Sequence, residues 1–197
     1  LKSHRGTYEI FPNGTEKDIS GEIPFDIPDS WEWCRLEHIA LTNLGKTLDK
    51  AKNKGELHPY LCSINVYWDG IDLSNLKQAR FEPNELNKYA VLPGDLLICE
   101  GGDVGRAAIW SESRPMCYQN ALHRVRPYGD VSTYFLKMII EAYKLIGTLD
   151  EVSKGMTIKH LVQTELKRLL IPVPSISEQH RIVEKLGVLM KELGVTK

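Results

Sequence analysis

Glycines, carboxylates and an arginine crowd together between Asp95 and Arg106, which makes this the first place to look for chemistry. The cluster Gly101-Gly102-Asp103-Val104-Gly105 invites comparison with a dinucleotide-binding turn. Such a turn needs G-x-G-x-x-G at the mouth of a helix and an acidic residue closing a later strand. Here the spacing differs, and Arg106–Trp110 reads as a strand. The glycines better suit a turn in which backbone approaches something closely, because glycine admits positive φ. Asp95 and Glu100 bracket a strand-like stretch, as the acidic pair of a magnesium-dependent nuclease does. Such a site places a lysine two residues after the second carboxylate, where this chain has Gly102. The Asn/Asp-Pro-Pro-aromatic loop of a DNA methyltransferase is also missing from the sequence.

A second kind of chemistry is recognition. Arg106, Arg114, Arg124 and Arg126, with Gln119 and Asn120, supply most of the long polar side chains of the middle region. Arginine pairs with guanine, and Asn or Gln with adenine, through two hydrogen bonds at the major-groove edge. Taken singly, each also suits an ordinary solvated surface. In Lys154-Gly155-Met156-Thr157-Ile158-Lys159, Thr157 is placed to cap a helix whose free N–H groups favour an anion. Lys154 and Lys159 would add charge for a phosphate, although a capped helix with solvated lysines fits the same residues. Asn65, Trp68 and Arg80 are further candidates around the first central strand.

Composition narrows the class. The 197 residues are 42 % hydrophobic and 26 % charged, which suits a folded domain with an appendage or two small domains. Lys and Arg number 25 against 26 Asp and Glu, a formal charge of −1. A stand-alone nucleic-acid binder carries a basic excess, so any DNA affinity here must come from a local patch or be shared with a partner. Cys34, Cys62, Cys99 and Cys117 form no C-x-x-C pair and read as reduced, buried thiols of a cytoplasmic protein. No metal site is expected. No apolar run is long enough to span a bilayer, and the chain starts at Leu1, which suggests a fragment.

These residues need elements to hold them. Residues 1–30 read as an extended arm with a turn at FPNGT, and the aromatic–proline strip Glu22–Trp33 is expected to fill surface grooves. Apolar spacing predicts a helix over Leu36–Leu44, and Lys46–Glu56 reads as charged and flexible. Strands are expected at Tyr60–Trp68, after the Pro93–Gly94 turn, at Arg106–Trp110 and at Asn120–Arg126. Tyr134–Ile146 predicts an amphipathic helix with Phe135, Met138, Ile139, Ala142 and Ile146 inward. A second helix is expected at Ile158–Leu166, then a short strand in LLIPVP. The last helix begins near Ser177, with Ser175 and Glu178 at capping-box spacing. Its Ile182, Leu186, Leu189 and Leu193, with Val183 and Met190 alongside, form a coiled-coil seam of about two heptads that needs a partner helix.

Several segments together resemble one family, the target-recognition domain of type I restriction–modification specificity subunits. They are EIPFDIPDSWEWCRLEHIA, LPGDLLICEGGDVGRAAIW, the helix around YFLKMIIEAY, and KGMTIKHLVQTELKRLLIPVPSISEQHRIVEKL, covering most of the chain from Glu22 onward. The final segment is the most specific. The resemblance implies a non-catalytic subunit with two recognition domains held apart by two long antiparallel helices, each domain reading half of a split target in double-stranded DNA. The helices would bind methyltransferase subunits that use S-adenosylmethionine, and a restriction subunit would add magnesium- and ATP-dependent translocation and cleavage. No cofactor is implied for this chain itself. With one domain and a helix ending at Gly194–Lys197, the sequence suggests either half of a longer subunit or a half-size subunit that dimerises.

The expectation is therefore an α+β fold: a β-rich recognition domain over residues 1–174 with flanking helices, and a spacer or dimerisation helix over 175–197. The expected DNA-contacting set is Asn65, Trp68, Arg80, Gly101, Gly102, Asp103, Gly105, Arg106, Gln119, Asn120, Arg124, Lys154, Gly155, Thr157 and Lys159. Two other readings stay open: an enzyme using Asp95, Glu100 and the glycine loop, and an assembly scaffold acting through its last helix. Truncation at Ser175 is expected to separate assembly from folding.

Overall fold

A computed structural model describes residues 6–49, 51–153 and 159–194. In chain order the strands are β1 (Tyr8–Ile10), β2 (Glu16–Asp18), β3 (Glu32–Arg35), β4 (Ala40–Leu44), β5 (Glu56–Leu61), β6 (Val66–Tyr67) and β7 (Gly70–Ile71). They continue as β8 (Lys77–Phe81), β9 (Ala90–Val91), β10 (Leu96–Cys99), β11 (Ala107–Ile109), β12 (Met116–Tyr118), β13 (Leu122–Pro127) and β14 (Leu170–Val173). The helices are α1 (Leu36–Ile39), α2 (Pro83–Lys88), α3 (Thr133–Ile146), α4 (Thr148–Val152), α5 (Gln163–Arg168) and α6 (Ile176–Glu192).

Two four-stranded sheets carry the body, in the orders β11-β10-β13-β4 and β8-β5-β12-β9. The first is antiparallel throughout, and in the second β12 runs parallel to β5. The apolar run Leu96–Cys99 explains the layering. Alternate side chains of a strand face opposite ways. Leu96 and Ile98 accordingly pack in the main core with Phe135, Leu136 and Ile140 of α3, while Leu97 and Cys99 pack with Leu61, Val91 and Tyr118 of the second sheet. Helices, sheet and second sheet are thus stacked on the central strand β10, an α+β arrangement.

Helix α3 is capped by Ser132, whose Oγ accepts from Phe135 N–H at 3.2 Å, and ends at Gly147 in the left-handed region. Its buried stripe is Phe135, Leu136, Ile139, Ile140 and Tyr143, while Ile146 is 57 % exposed. The face is therefore rotated from the expected one, because Leu136 and Tyr143 supply more apolar surface than Ala142. The N-terminal arm forms the β1–β2 hairpin at FPNGT. Buried Arg35 fixes the arm by pairing with Glu9 at 2.8 Å and Glu22 at 2.7 Å, which holds both carboxyls below their ordinary range. Phe25 lies against Trp33 and Tyr143, and Trp31 meets Phe135 edge-on.

Three expectations for elements give way. The Leu36–Leu44 helix is one turn, after which Ala40–Leu44 is strand β4, paired with β13. Sheet pairing on β13 overrides the local helical spacing. Lys46, expected in a flexible charged stretch, is buried; its ammonium donates to the Arg80 carbonyl at 2.9 Å, pairs with Glu85 and lies 4.9 Å from the Phe81 ring centre. Tyr60–Trp68 is not one strand: a 3-10 turn at Ser63–Asn65 separates β5 from β6.

Candidate functional site

The elements bring four separate chain segments to one contiguous surface. At its centre is the glycine loop between β10 and β11. Its ends are tied where Cys99 N–H donates to the Arg106 carbonyl at 2.8 Å and Gly105 N–H donates to the Cys99 carbonyl at 3.0 Å. Gly102 and Gly105 have φ of 77° and 83°, and a Cβ on Gly105 would lie 2.2 Å from buried Leu149 of α4. Left-handed backbone and close approach both require glycine at 105.

The 119–121 turn lies beside this loop. Glu100 N–H donates to the Ala121 carbonyl at 3.0 Å, and Gln119 N–H to the Leu61 carbonyl at 2.9 Å. Asn120 N–H in turn donates to the Lys46 carbonyl at 3.1 Å. Residues 159–161 run alongside, with Gly101 bridged to His160 and Leu161 N–H donating to the Glu100 carbonyl at 2.8 Å. Fully buried His123 donates from Nε2 to the Leu161 carbonyl at 2.6 Å. Its burial pushes the imidazole pKa down to about 4, so the ring is neutral at physiological pH. The fourth segment is the loop after β5, where the Ser63 carbonyl accepts from Arg106 Nη2 at 2.7 Å.

Charges on this surface are mixed. Lys144 lies 3.3 Å from Asp103 and 3.8 Å from Asp150, and Lys159 also lies 3.8 Å from Asp150. Half-buried Glu100 has its carboxyl raised above the ordinary range by burial. The arrangement suits a partner presenting both donors and acceptors better than a purely anionic one.

Gly101, Gly102, Asp103, Arg106, Gln119, Asn120 and Lys159 fall within this surface, whereas Gly105, also expected to contact DNA, is buried beneath it against Leu149. Others do not fit the roles expected of them. Asn65 is 1 % exposed; its Oδ1 accepts from Cys62 N–H at 3.0 Å, and its Nδ2 donates to the Asp72 and Asn75 carbonyls at 3.0 and 3.5 Å. It builds the loop and has no edge left for a base. Arg124 is 5 % exposed, donating to the Ala90 carbonyl and to Asn43 Oδ1, so it ties the two sheets together. Arg80 stands on the outer strand β8 opposite Leu57 and donates to the Gly55 carbonyl. That position is about 13 Å along β5 from Leu61. Trp68 is half-buried against the main core. Lys154, Gly155 and Thr157 lie outside the described residues. The helix expected from Ile158 begins instead at Gln163, so Lys159 precedes the His160 bridge and is not at a helix end.

The acidic pair dissolves. Asp95 is 2 % exposed; its Oδ1 accepts from Arg126 Nε at 2.6 Å, and Oδ2 accepts from Arg126 Nη2 and Leu92 N–H, both at 2.7 Å. A carboxylate so engaged braces the Pro93–Gly94 turn and holds no metal. Glu100 stands five residues farther, at the opposite end of β10.

A family profile described as the type I restriction modification DNA specificity domain matches residues 28–197. The chain belongs to that family. Among curated relatives it is 30 % identical over 172 residues to the Escherichia coli type I restriction enzyme EcoBI specificity subunit, covering 83 % of this chain and 35 % of that protein. The putative MjaX specificity subunit of Methanocaldococcus jannaschii is 26 % identical, with 82 % and 40 % covered. This chain thus spans well under half of these relatives. Its fold matches the HsdS subunit of Thermoanaerobacter tengcongensis with a TM-score of 0.63 at 19 % identity, over 87 % of this chain and 40 % of that one. It also matches, with a TM-score of 0.65 at 21 % identity and 87 % and 41 % coverage, a chain from a study of type I R-M complex assembly and conformational transition.

Within this specificity domain, the residues that sequence reasoning missed are Ile64, Tyr67, His123, Lys144 and His160. Ile64 and Tyr67 are 51 % and 44 % exposed, yet they sit inside a run rich in β-formers that reads as one strand. The interrupting Ser63-Ile64-Asn65 carried the signal, since Ser and Asn favour local turns over strands. His123 and Lys144 had no such signal, because the Leu161 carbonyl and Asp103, which bring them to this region, are 38 and 41 residues away in sequence.

Helix α6 is divided along its length. Ser175 caps it, accepting from Glu178 N–H at 3.4 Å, and buried Gln179 accepts from Ser132 N–H at 2.9 Å. Ile182 and Val183, expected to face a partner, pack instead on the chain's own core beside α3. Val188, Leu189 and Leu193 are 52 %, 44 % and 77 % exposed, and Leu186 and Met190 are half-buried. The seam left for a partner therefore begins near Leu186.

Proposed function

We propose that this specificity domain reads one part of a split target in double-stranded DNA and catalyses nothing itself. The observation that carries this reading is the meeting, in a chain of this family, of the glycine loop, the 119–121 turn, residues 159–160 and the Ser63–Tyr67 loop on one surface. Exposed and half-buried polar, aromatic and apolar side chains drawn from segments far apart in sequence suit the mixed donor, acceptor and methyl pattern of a groove. The buried Arg126–Asp95 fork weakens the alternative of a metal-dependent enzyme.

Partner methyltransferase subunits would use S-adenosylmethionine to methylate adenine, and a restriction subunit would cleave with ATP and magnesium. The distal part of α6, from Leu186 to Leu193, would join these partners or a second recognition half. The assembly would work in the cytoplasm; four free cysteines agree with a reducing compartment, and among the described residues no helix is long and apolar enough to cross a membrane. Near-neutral charge fits a domain whose partners share the phosphate contacts.

The test is adenine-methylation mapping of DNA incubated with the methyltransferase subunit and S-adenosylmethionine, with and without this protein. Methylation at one recurring sequence only when the chain is present is the expected result. Methylation independent of the chain, in a complex shown to have assembled, overturns the reading.

A further inference from the structure

The loop after β5 joins two properties that seldom coincide: it is rigidly built, and it holds apolar side chains out in solvent. Between Ile64 and Tyr67 lie Asn65 and Val66, 1 % and 0 % exposed. The Asn65 amide ties the loop to the Cys62 N–H and to the carbonyls of Asp72 and Asn75. Arg106 braces it from the glycine loop, donating to the Ser63 carbonyl at 2.7 Å while its guanidinium carbon lies 5.4 Å from the Tyr67 ring centre. Ile64 and Tyr67 nevertheless remain 51 % and 44 % exposed. A loop this constrained cannot fold them inward, so their exposure is built in. They adjoin the glycine loop, on the surface assigned above to DNA.

We infer that Ile64 and Tyr67 are specificity-determining residues that seat the 5-methyl group of one thymine of the target, with Arg106 as the positioning residue that fixes Tyr67. Of the groups a base pair displays in the major groove, the thymine methyl is the apolar one and is read by apolar contact. The inference rests on DNA reading by this domain. One face of the tyrosine ring is taken by Arg106, leaving its edge and outer face, with the isoleucine, to enclose a methyl.

The test uses the specificity subunit assembled with its methyltransferase, on the duplex that methylation mapping identifies. Each thymine is replaced in turn by deoxyuridine, which removes the methyl and nothing else. At one position the wild-type complex should lose about three- to five-fold in affinity, the value of one buried methyl. Ile64→Ala and Tyr67→Ala should bind the thymine target more weakly and show no uracil penalty at that position, with unchanged thermal unfolding. Tyr67→Phe should keep the penalty, and Arg106→Ala should reduce it. Equal tolerance of uracil at every position in the wild type, or a penalty that persists in both alanine variants, overturns the inference. The absence of any chain-dependent methylated sequence would instead defeat the underlying DNA-reading role, and mapping reveals that before the thymine scan begins.

Discussion

Single side chains buried under the proposed recognition surface hold its loops in place. Asn65→Ala would strip four hydrogen bonds from a buried loop and leave two carbonyls, an N–H and a thiol without their partner. The expected cost is about 2–3 kcal/mol, read as a lowered urea midpoint, with target selectivity falling alongside. A variant of unchanged midpoint would show that water replaces the amide. His123 makes the domain acid-sensitive in a definite direction. Its native pKa is about 4 against an ordinary 6.5, so between these pH values the unfolded chain binds a proton that the native chain does not. Stability then rises with pH across that window and is lost on acidification, by about 3 kcal/mol over its full width. Urea titrations of wild type and His123→Gln from pH 7 to pH 4.5 should diverge, the variant losing less. Parallel curves would assign the acid sensitivity to other groups.

At the scale of elements, β10 and α6 carry most of the consequence. β10 has a core on each face, which is why its two ends can hold Asp95 and the glycine loop in fixed relation. Gly105→Ala would force a Cβ against Leu149 at a φ of 83°, and should destabilise the domain by about 2 kcal/mol or more on both counts. Its thermal midpoint checks this; an unshifted midpoint would mean that α4 moves freely. Helix α6 calls for a different cut from the one its sequence suggests. Truncation at Ser175 would remove Gln179 from the start of α3 and Ile182 and Val183 from the core, so it should unfold the body as well as abolish assembly. Leu189→Asp with Leu193→Asp should spare thermal stability and weaken association with the methyltransferase in sedimentation. Ile182→Ala should do the reverse, costing about 1–2 kcal/mol of stability.

At the scale of the whole molecule, charge decides what kind of binder this is. A chain of net charge −1 gains little from phosphate attraction, so its own contribution to the salt dependence of binding should be small. In affinity measurements between about 50 and 200 mM salt, Lys159→Ala should reduce the slope by about one at most. A larger change would place a phosphate cluster around that residue. Discrimination among sequences should meanwhile persist at high salt if it rests on the groove contacts proposed above.

Sequence by itself determined the elements whose signals are local. The α3 helix, the glycine turn after Leu96–Cys99, the FPNGT turn and the start of α6 near Ser175 depend on neighbours within a few residues, so composition and spacing suffice to find them. The glycine loop and Gln119–Asn120 were legible as candidates for the same reason. Which of the long polar residues are already spent on bonds within the chain was decided only by tertiary structure. Arg124 and Asn65 look like base readers in sequence, yet their bonds go to Ala90, Asn43, Asp72 and Asn75. Ile64 and Tyr67 look like members of one strand in sequence, yet the turn at Ser63–Asn65 breaks it and leaves them exposed. Burial depends on which strands meet, and contacts such as Leu97 with Arg124 or Gly101 with His160 join residues that no local pattern relates.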